Sequence, residues 1–179
     1  MIKLEKSAIV LIDVQGKLAH LMFEKESLFN NTKILVQGVK LFNIPIIWTE
    51  QLPEKLGPTV PEIAKLLHNN KPIEKNVFSC VRNNEFLRRQ NTLGATKFFL
   101  AGIETHICVY QTALDLLRAG HEVEVIVDAV SSRNELNKTI GIERIVQSGG
   151  RRTTVETLLF EIQEVAEGKR FKELINLIK

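Results

Sequence analysis

Cysteine is almost missing from this chain: of 179 residues only Cys80 and Cys108 carry a thiol. So few cysteines exclude a disulfide framework, and in a reducing compartment both are expected to stay free. Long apolar runs are missing too. None approaches the roughly 20 residues that a membrane-spanning helix needs, so no membrane association is expected. Charge of one sign is equally scarce, because 24 basic against 21 acidic residues leave a formal charge of only +3. The short pairs Arg88-Arg89, Arg151-Arg152 and Lys169-Arg170 build no basic run, which argues against a nucleic-acid partner. Internal repeats and low-complexity tracts are absent. The first strand-like segment, "SAIVLIDV", begins at Ser7 with no room before it for a signal peptide, so a cytoplasmic protein is predicted.

What is present is ordinary globular material, 44% hydrophobic and 25% charged, in a chain long enough to bury a core without disulfides or a structural metal. One domain over residues 1–179 is predicted. Strand-like runs recur at 7–13 ("SAIVLID"), 44–50 ("IPIIWTE"), 97–103 ("KFFLAGI") and 121–129 ("HEVEVIVDA"). They are nearly continuous in apolar character, as in strands covered on both faces of a parallel sheet. Between them Ile34, Leu35, Val39 and Leu41-Phe42 form one helical stripe, and Ile107, Tyr110, Leu114 and Leu117 another. This alternation predicts a three-layer α/β/α sandwich around a doubly wound, mostly parallel, Rossmann-like sheet. "RTTV" (152–155) supplies a last short strand before the helix "ETLLFEIQEVAEG", and "FKELINLIK" a closing amphipathic helix. The stretch "EQLPEKLGPTVPEI", with three of the five prolines, reads as a rigid loop.

In open parallel sheets ligands bind beyond the carboxyl ends of the strands, which singles out a few residues. Asp13 ends the first strand, either as a turn or capping aspartate or as a carboxylate at the mouth of a site. Cys108 follows "KFFLAGI" and opens the helix "ICVYQTALDLL". It is either a small buried core residue or a nucleophile whose thiolate is favoured by helix-start N–H groups and the helix dipole, a position where thiol pKa values fall to roughly 3.5–7.5. Lys75, in "IEKNVFSC", has meaning only with these two, since most lysines are solvated. Together they make a plausible nucleophilic set, in which the lysine keeps the aspartate ionised and the aspartate takes the thiol proton.

In order along the chain, "LIDVQGKL", "EQLPEKLGPTVPEI", "EKNVFSC", "GIETHICVYQTALDLL", "VIVDAVSSR" and "QSGGRRTTVETLLFE" resemble the isochorismatase-like cysteine hydrolase superfamily over nearly the full length. The loop "EQLPEKLGPTVPEI" and the "QSGG…TTVE" segment resemble in particular its branch of small isochorismatase-domain-containing proteins. The resemblance implies that Asp13, Lys75 and Cys108 are a catalytic triad, that the Ile103–Glu104 peptide is cis, and that the backbone amides of Glu104 and Cys108 form an oxyanion hole. Nicotinamidases of the superfamily hold a metal with an aspartate and several histidines after the second strand. Here that segment is "WTEQLPEKLGPTV" without histidine, and His20, His68, His106 and His121 lack any short ligand spacing. No metal and no other cofactor is therefore expected.

Gln15, Trp48, Gln51, Phe78 and Cys80 are candidates for the substrate pocket, Trp48 and Phe78 being equally readable as core and Gln15 as a surface glutamine or an orienting group for Asp13. His106 is read as a loop or helix-start histidine, and Asp128 as a structural residue bonding the "SSR" backbone that follows it. The carboxylate of Glu104 either points away from the chemistry or helps to bind a substrate. The resulting expectation is a cysteine-dependent hydrolase of a small-molecule amide or N-carbamoyl C–N bond. A vinyl-ether hydrolase of isochorismate type and a non-catalytic binding or scaffold protein are the alternatives. A homo-oligomer is expected, with apolar helix faces near the C-terminus as the interface.

Overall fold

The computed structural model describes residues 4–67 and 71–179. Six parallel strands lie in the order β3-β2-β1-β4-β5-β6: β1 (Ser7–Ile12), β2 (Ile46–Gln51), β3 (Ile73–Lys75), β4 (Lys97–Ile103), β5 (Glu122–Ser131) and β6 (Arg151–Thr153). A 3₁₀ turn (Leu4–Lys6) leads into β1, and α1 (Gly16–Ala19) and α2 (Lys25–Leu41) follow it. The chain then passes α3 (Pro53–Leu56), α4 (Pro61–Ala64), a 3₁₀ turn (Cys80–Arg82) and α5 (Asn84–Leu93). A π-helical turn (Thr105–Val109), α6 (Tyr110–Arg118), α7 (Glu135–Gln147), α8 (Val155–Gln163) and α9 (Gly168–Ile178) complete it.

Alternate residues of one strand point to opposite faces, and both faces of β1 are apolar because both are covered. Ile9 and Leu11 pack with Leu35 and Val39 of α2, Leu158 and Leu159 of α8 and Leu174 of α9. Ala8, Val10 and Ile12 pack with Phe86 of α5, Ala113 and Leu116 of α6 and Ile145 of α7. Burying each large side chain in these two cores stabilises the fold by about 1.5–3 kcal/mol. The three-layer α/β/α arrangement expected from the sequence is present. Among the described residues no helix is long and apolar enough to cross a membrane.

Register decides which side chains meet at the carboxyl edge. Ile12 lies opposite Thr49 on one side and Gly102 on the other, Gln51 opposite Lys75, and Ile103 opposite Ser131. The backbones of β1 and β4 come so close that a Cβ on Gly102 would sit 2.0 Å from the Ile12 carbonyl oxygen, and the residue's φ is +113°. Only glycine fits there.

Several elements differ from the sequence reading. The three-residue β3 was not expected, since "IEK" is too short to show a period. The proline-rich loop contains two single helical turns, α3 and α4, each started by a proline, as suits a residue whose missing N–H has no partner to lose there. The helix expected to run through "EVAEG" stops at Gln163, with Glu164 at φ +58°. Strand β5 extends to Ser131, which places Asp128 inside it.

Candidate active site

Asp13 leaves β1 with a left-handed backbone, φ +52°, and its amide donates to the Thr49 carbonyl at 3.2 Å. That geometry turns its carboxylate across the end of the sheet, where both oxygens find donors. The Thr49 hydroxyl donates to Oδ1 at 2.8 Å, and Lys75 Nζ to Oδ2 at 2.6 Å. Lys75 closes β3, and its ammonium also donates to Gln51 Oε1 at 2.7 Å and to the carbonyls of Val77 and Phe78 at 3.2 and 3.3 Å. The same nitrogen lies 3.8 Å from Cys108 Sγ, and the thiol and the Asp13 carboxylate are near enough to shift one another's protonation. Asp13, Lys75 and Cys108 are thus brought together, and all three are buried.

Burial raises the Asp13 pKa above its ordinary value, against the lowering by Lys75 and by the hydrogen bonds from Lys75, Thr49 and Cys108. Burial also works against the Lys75 charge, but the negative groups around it, Asp13 foremost, leave the ammonium above its ordinary value. For Cys108 burial and the nearby Asp13 charge both push the thiol pKa strongly upward, and Lys75 only partly offsets them. These influences run against the thiolate that the nucleophile reading of its helix position favours. Cys108 sits in the π turn ahead of α6, where burial is the largest influence on the thiol. The resting arrangement is a thiol beside a carboxylate of raised basicity, suited to proton transfer at the moment of attack.

The Ile103–Glu104 peptide is cis. Glu104 caps the π turn by accepting the amides of Ile107 and Val109 at its carbonyl, 3.0 and 3.3 Å away. Its carboxylate takes the backbone N–H of Arg133 at 3.0 Å and Nε of Arg133 at 3.2 Å. Helix α7 presses on the turn so closely that a Cβ on Gly141 would lie 2.8 Å from His106 N.

Here the chain matches the isochorismatase-domain model over residues 7–157. It belongs to the isochorismatase family. It is 36% identical over 180 residues to isochorismatase family protein 1B of Dictyostelium discoideum, covering 98% of this chain and 87% of that one. Among solved structures it is similar to the MAR1 ribonuclease of Caenorhabditis elegans, with a TM-score of 0.90 and 33% identity over 99% of this chain and 91% of that one. The fold also matches the YcaC gene product of Escherichia coli, described as an octameric hydrolase of unknown specificity, at TM-score 0.89 and 24% identity over 99% and 94% of the two chains.

Within this isochorismatase-family frame the remaining sequence candidates separate by strand parity. Thr49 and Gln51 turn to the side of Asp13 and Lys75, which they bond. Trp48, one residue out of phase, lies in the opposite core, its indole N–H donating to Thr59 Oγ1 at 2.8 Å, so it does not line the pocket. Gln15 is fully buried and reaches neither Asp13 nor open space. Its Nε2 donates to the carbonyls of Gln51 and Gly57 at 3.2 and 2.7 Å, and its Oε1 accepts the Gln51 amide at 2.6 Å. It therefore holds the backbone of the residue whose side chain holds Lys75. Cys80 is 0% exposed and sits behind Thr49, whose Oγ1 is 3.8 Å from its sulfur, so it cannot form a pocket wall. Phe78 is exposed, at 54%.

Asp128 is structural, but its partner is the Val155 amide at the start of α8, 2.9 Å away, and not the "SSR" backbone. His106 Nδ1 bonds Ser132 Oγ at 3.0 Å, His20 packs edge-on against Phe29, and His121 bonds Gln90. His68 lies outside the described residues. Among the described residues no three His, Cys, Asp or Glu side chains converge as metal ligands. The residue that sequence reasoning missed is Thr49. The signal was there, a polar side chain in the otherwise apolar start of "IIWTEQ".

Proposed function

We propose that this protein is a cysteine hydrolase that cleaves an amide or N-carbamoyl C–N bond of a small molecule through a thioester. The observation that carries the reading is that one buried ammonium, Lys75, touches both the Asp13 carboxylate, at 2.6 Å, and the Cys108 sulfur, at 3.8 Å, and so brings base and thiol together. In the first step Asp13 takes the S–H proton as sulfur bonds to the carbonyl carbon. The oxyanion so formed is held by the backbone amides of Glu104 and Cys108. The C–N bond then breaks, and Asp13 passes its proton to the leaving nitrogen. Asp13 next removes a proton from water as that oxygen attacks the thioester, and the acid is released as Cys108 recovers its proton from Asp13. Lys75 stays protonated throughout and keeps Asp13 anionic between transfers.

The protein works as one domain in the cytoplasm with a small-molecule substrate, and it assembles with copies of itself, as the octameric description of the YcaC protein suggests. The test is a screen of amides and N-carbamoyl compounds with the wild type, Cys108→Ala and Asp13→Asn, with mass spectrometry to trap an acyl adduct on Cys108. Loss of turnover in both variants supports the reading. Turnover of a vinyl ether that survives Cys108→Ala, or RNA cleavage indifferent to Cys108, replaces it with another hydrolase. Absence of any turnover, with a thiol no more reactive than a free cysteine, leaves a binding protein.

A further inference from the structure

Thr49 has one hydroxyl hydrogen and stands between two groups. It donates to Asp13 Oδ1 at 2.8 Å, and its oxygen lies 3.8 Å from Cys80 Sγ. Because that hydrogen is committed to Asp13, the contact with Cys80 runs from the thiol S–H to the Thr49 oxygen. Burial pushes the Cys80 thiol up to about 11, so it keeps the proton this requires. The result is a directed chain, from Cys80 through Thr49 to the carboxylate. Its lower end is fixed, since the Cys80 amide donates to Thr112 Oγ1 of α6 at 3.0 Å. Cys80 and Thr49 are both fully buried, so no water replaces either partner.

A base that must also act as an acid presents this chain with two opposite demands. Lys75 occupies Oδ2 and has only hydrogens to offer, so a proton arriving on Asp13 is best housed on Oδ1, facing Thr49. On the lone pair of Oδ1 that accepts from Thr49, two O–H groups collide unless the threonine hydroxyl turns away. Sulfur can both donate and accept, and it is the group toward which the hydroxyl can turn. Resting on the reading that Asp13 exchanges a proton with Cys108, we propose that Thr49 is a hydroxyl rotor backed by Cys80. It donates to Asp13 when the carboxylate is ionised, and accepts from Asp13 while donating to the Cys80 sulfur when the carboxyl is protonated. Both are positioning residues: Thr49 acts on Asp13, and Cys80 acts through Thr49. The other ionisable groups facing Asp13 are Lys75 of β3 and Cys108 of the π turn.

The experiment uses the S–H stretching band in the infrared. Cys108→Ala leaves Cys80 as the only thiol, since the chain has two cysteines. As pH falls and the Asp13 carboxyl band appears, the Cys80 S–H band is expected to move to higher frequency, because the thiol stops donating to Thr49. Adding Asp13→Asn or Thr49→Val makes the band indifferent to pH, and Thr49→Ser preserves the movement. A band that stays fixed while Asp13 protonates, or that moves equally with Thr49→Val, overturns the rotor.

A second measurement follows alkylation of Cys108 by iodoacetamide across pH. Thr49→Val removes a bond from both forms of Asp13, and because the charge-assisted bond to the carboxylate is the stronger of the two, the acid limb shifts up by about one pH unit, whereas Thr49→Ser leaves it in place. An unmoved limb in Thr49→Val also overturns the proposal. Alkylation indifferent to Asp13→Asn instead defeats the catalytic reading, and the infrared band alone then decides for the rotor.

Discussion

Replacing Lys75 by methionine tests the electrostatics of the site without emptying it, because the thioether fills much of the lysine volume and adapts to the gap. The two partners are 0% and 4% exposed at their side chains and 2.6 Å apart. At an effective dielectric of about 20 their attraction is about 6 kcal/mol, partly offset by the cost of desolvating both charges. Removing one partner of such a pair leaves a buried charge alone and costs about 3–5 kcal/mol, a large share of the roughly 5–15 kcal/mol that stabilises a domain. Urea unfolding at about pH 7.5 is therefore expected to show a loss of about 4 kcal/mol.

The loss must depend on pH in a particular direction. Without the ammonium, the Asp13 pKa rises further above its value in the unfolded chain, so the folded variant binds a proton that the unfolded chain releases. Stability is then greatest below the unfolded aspartate value and falls as pH rises through the folded one. The gap to wild type should narrow by at least about 1 kcal/mol at about pH 5. Adding Asp13→Asn should recover part of the loss at neutral pH. A deficit below about 1 kcal/mol, or one equal at both pH values, would refute the assignment of Lys75 and Asp13 as a buried ion pair.

Gly141→Ala would drive its new methyl group against the backbone of Thr105 and His106. Thermal unfolding should show a loss of about 1–3 kcal/mol, with slower alkylation of Cys108 as the π turn is displaced. Glu104→Ala leaves the Arg133 backbone N–H and guanidinium without their shared acceptor. Chemical denaturation should register about 1–3 kcal/mol. Phe86→Ala opens a cavity beside α5 where the ring is fully buried. A loss of about 3–5 kcal/mol is expected, and a loss under about 1 kcal/mol would mean that α5 collapses onto the space.

The layers were legible because β1, β2, β4 and β5 are apolar on both faces, which only a covered parallel sheet requires. The same property hid the finer detail. A strand apolar throughout does not disclose which parity faces which layer, so Trp48 and Thr49 could not be assigned to their sides until the register was known. Asp13 stood out by ending a strand and Cys108 by opening a helix just after one, whereas Lys75 lies on a strand too short to show a period. Gln15 and Cys80 were rightly suspected of proximity but misjudged in role, because both are consumed by internal hydrogen bonds. The sequence leaves the protonation of Cys108 open between a buried residue and a helix-start nucleophile. Helix position is visible in a sequence, and the desolvation that pushes the thiol pKa up is not.

The central position of β1 has a consequence for how the chain folds. Its neighbour on one side, β2, comes from the same half of the sequence, but its neighbour on the other, β4, pairs Lys97 with Ser7, a contact across half the molecule that is entropically slow to form. Asp13 and Lys75 can meet as soon as β1, β2 and β3 align, while Cys108 joins them only after the second half has docked. Until then its sulfur is an ordinary exposed thiol. The time course of its burial during refolding should follow completion of the sheet, not its initiation, so the thiol that marks the site also serves as a clock for the fold.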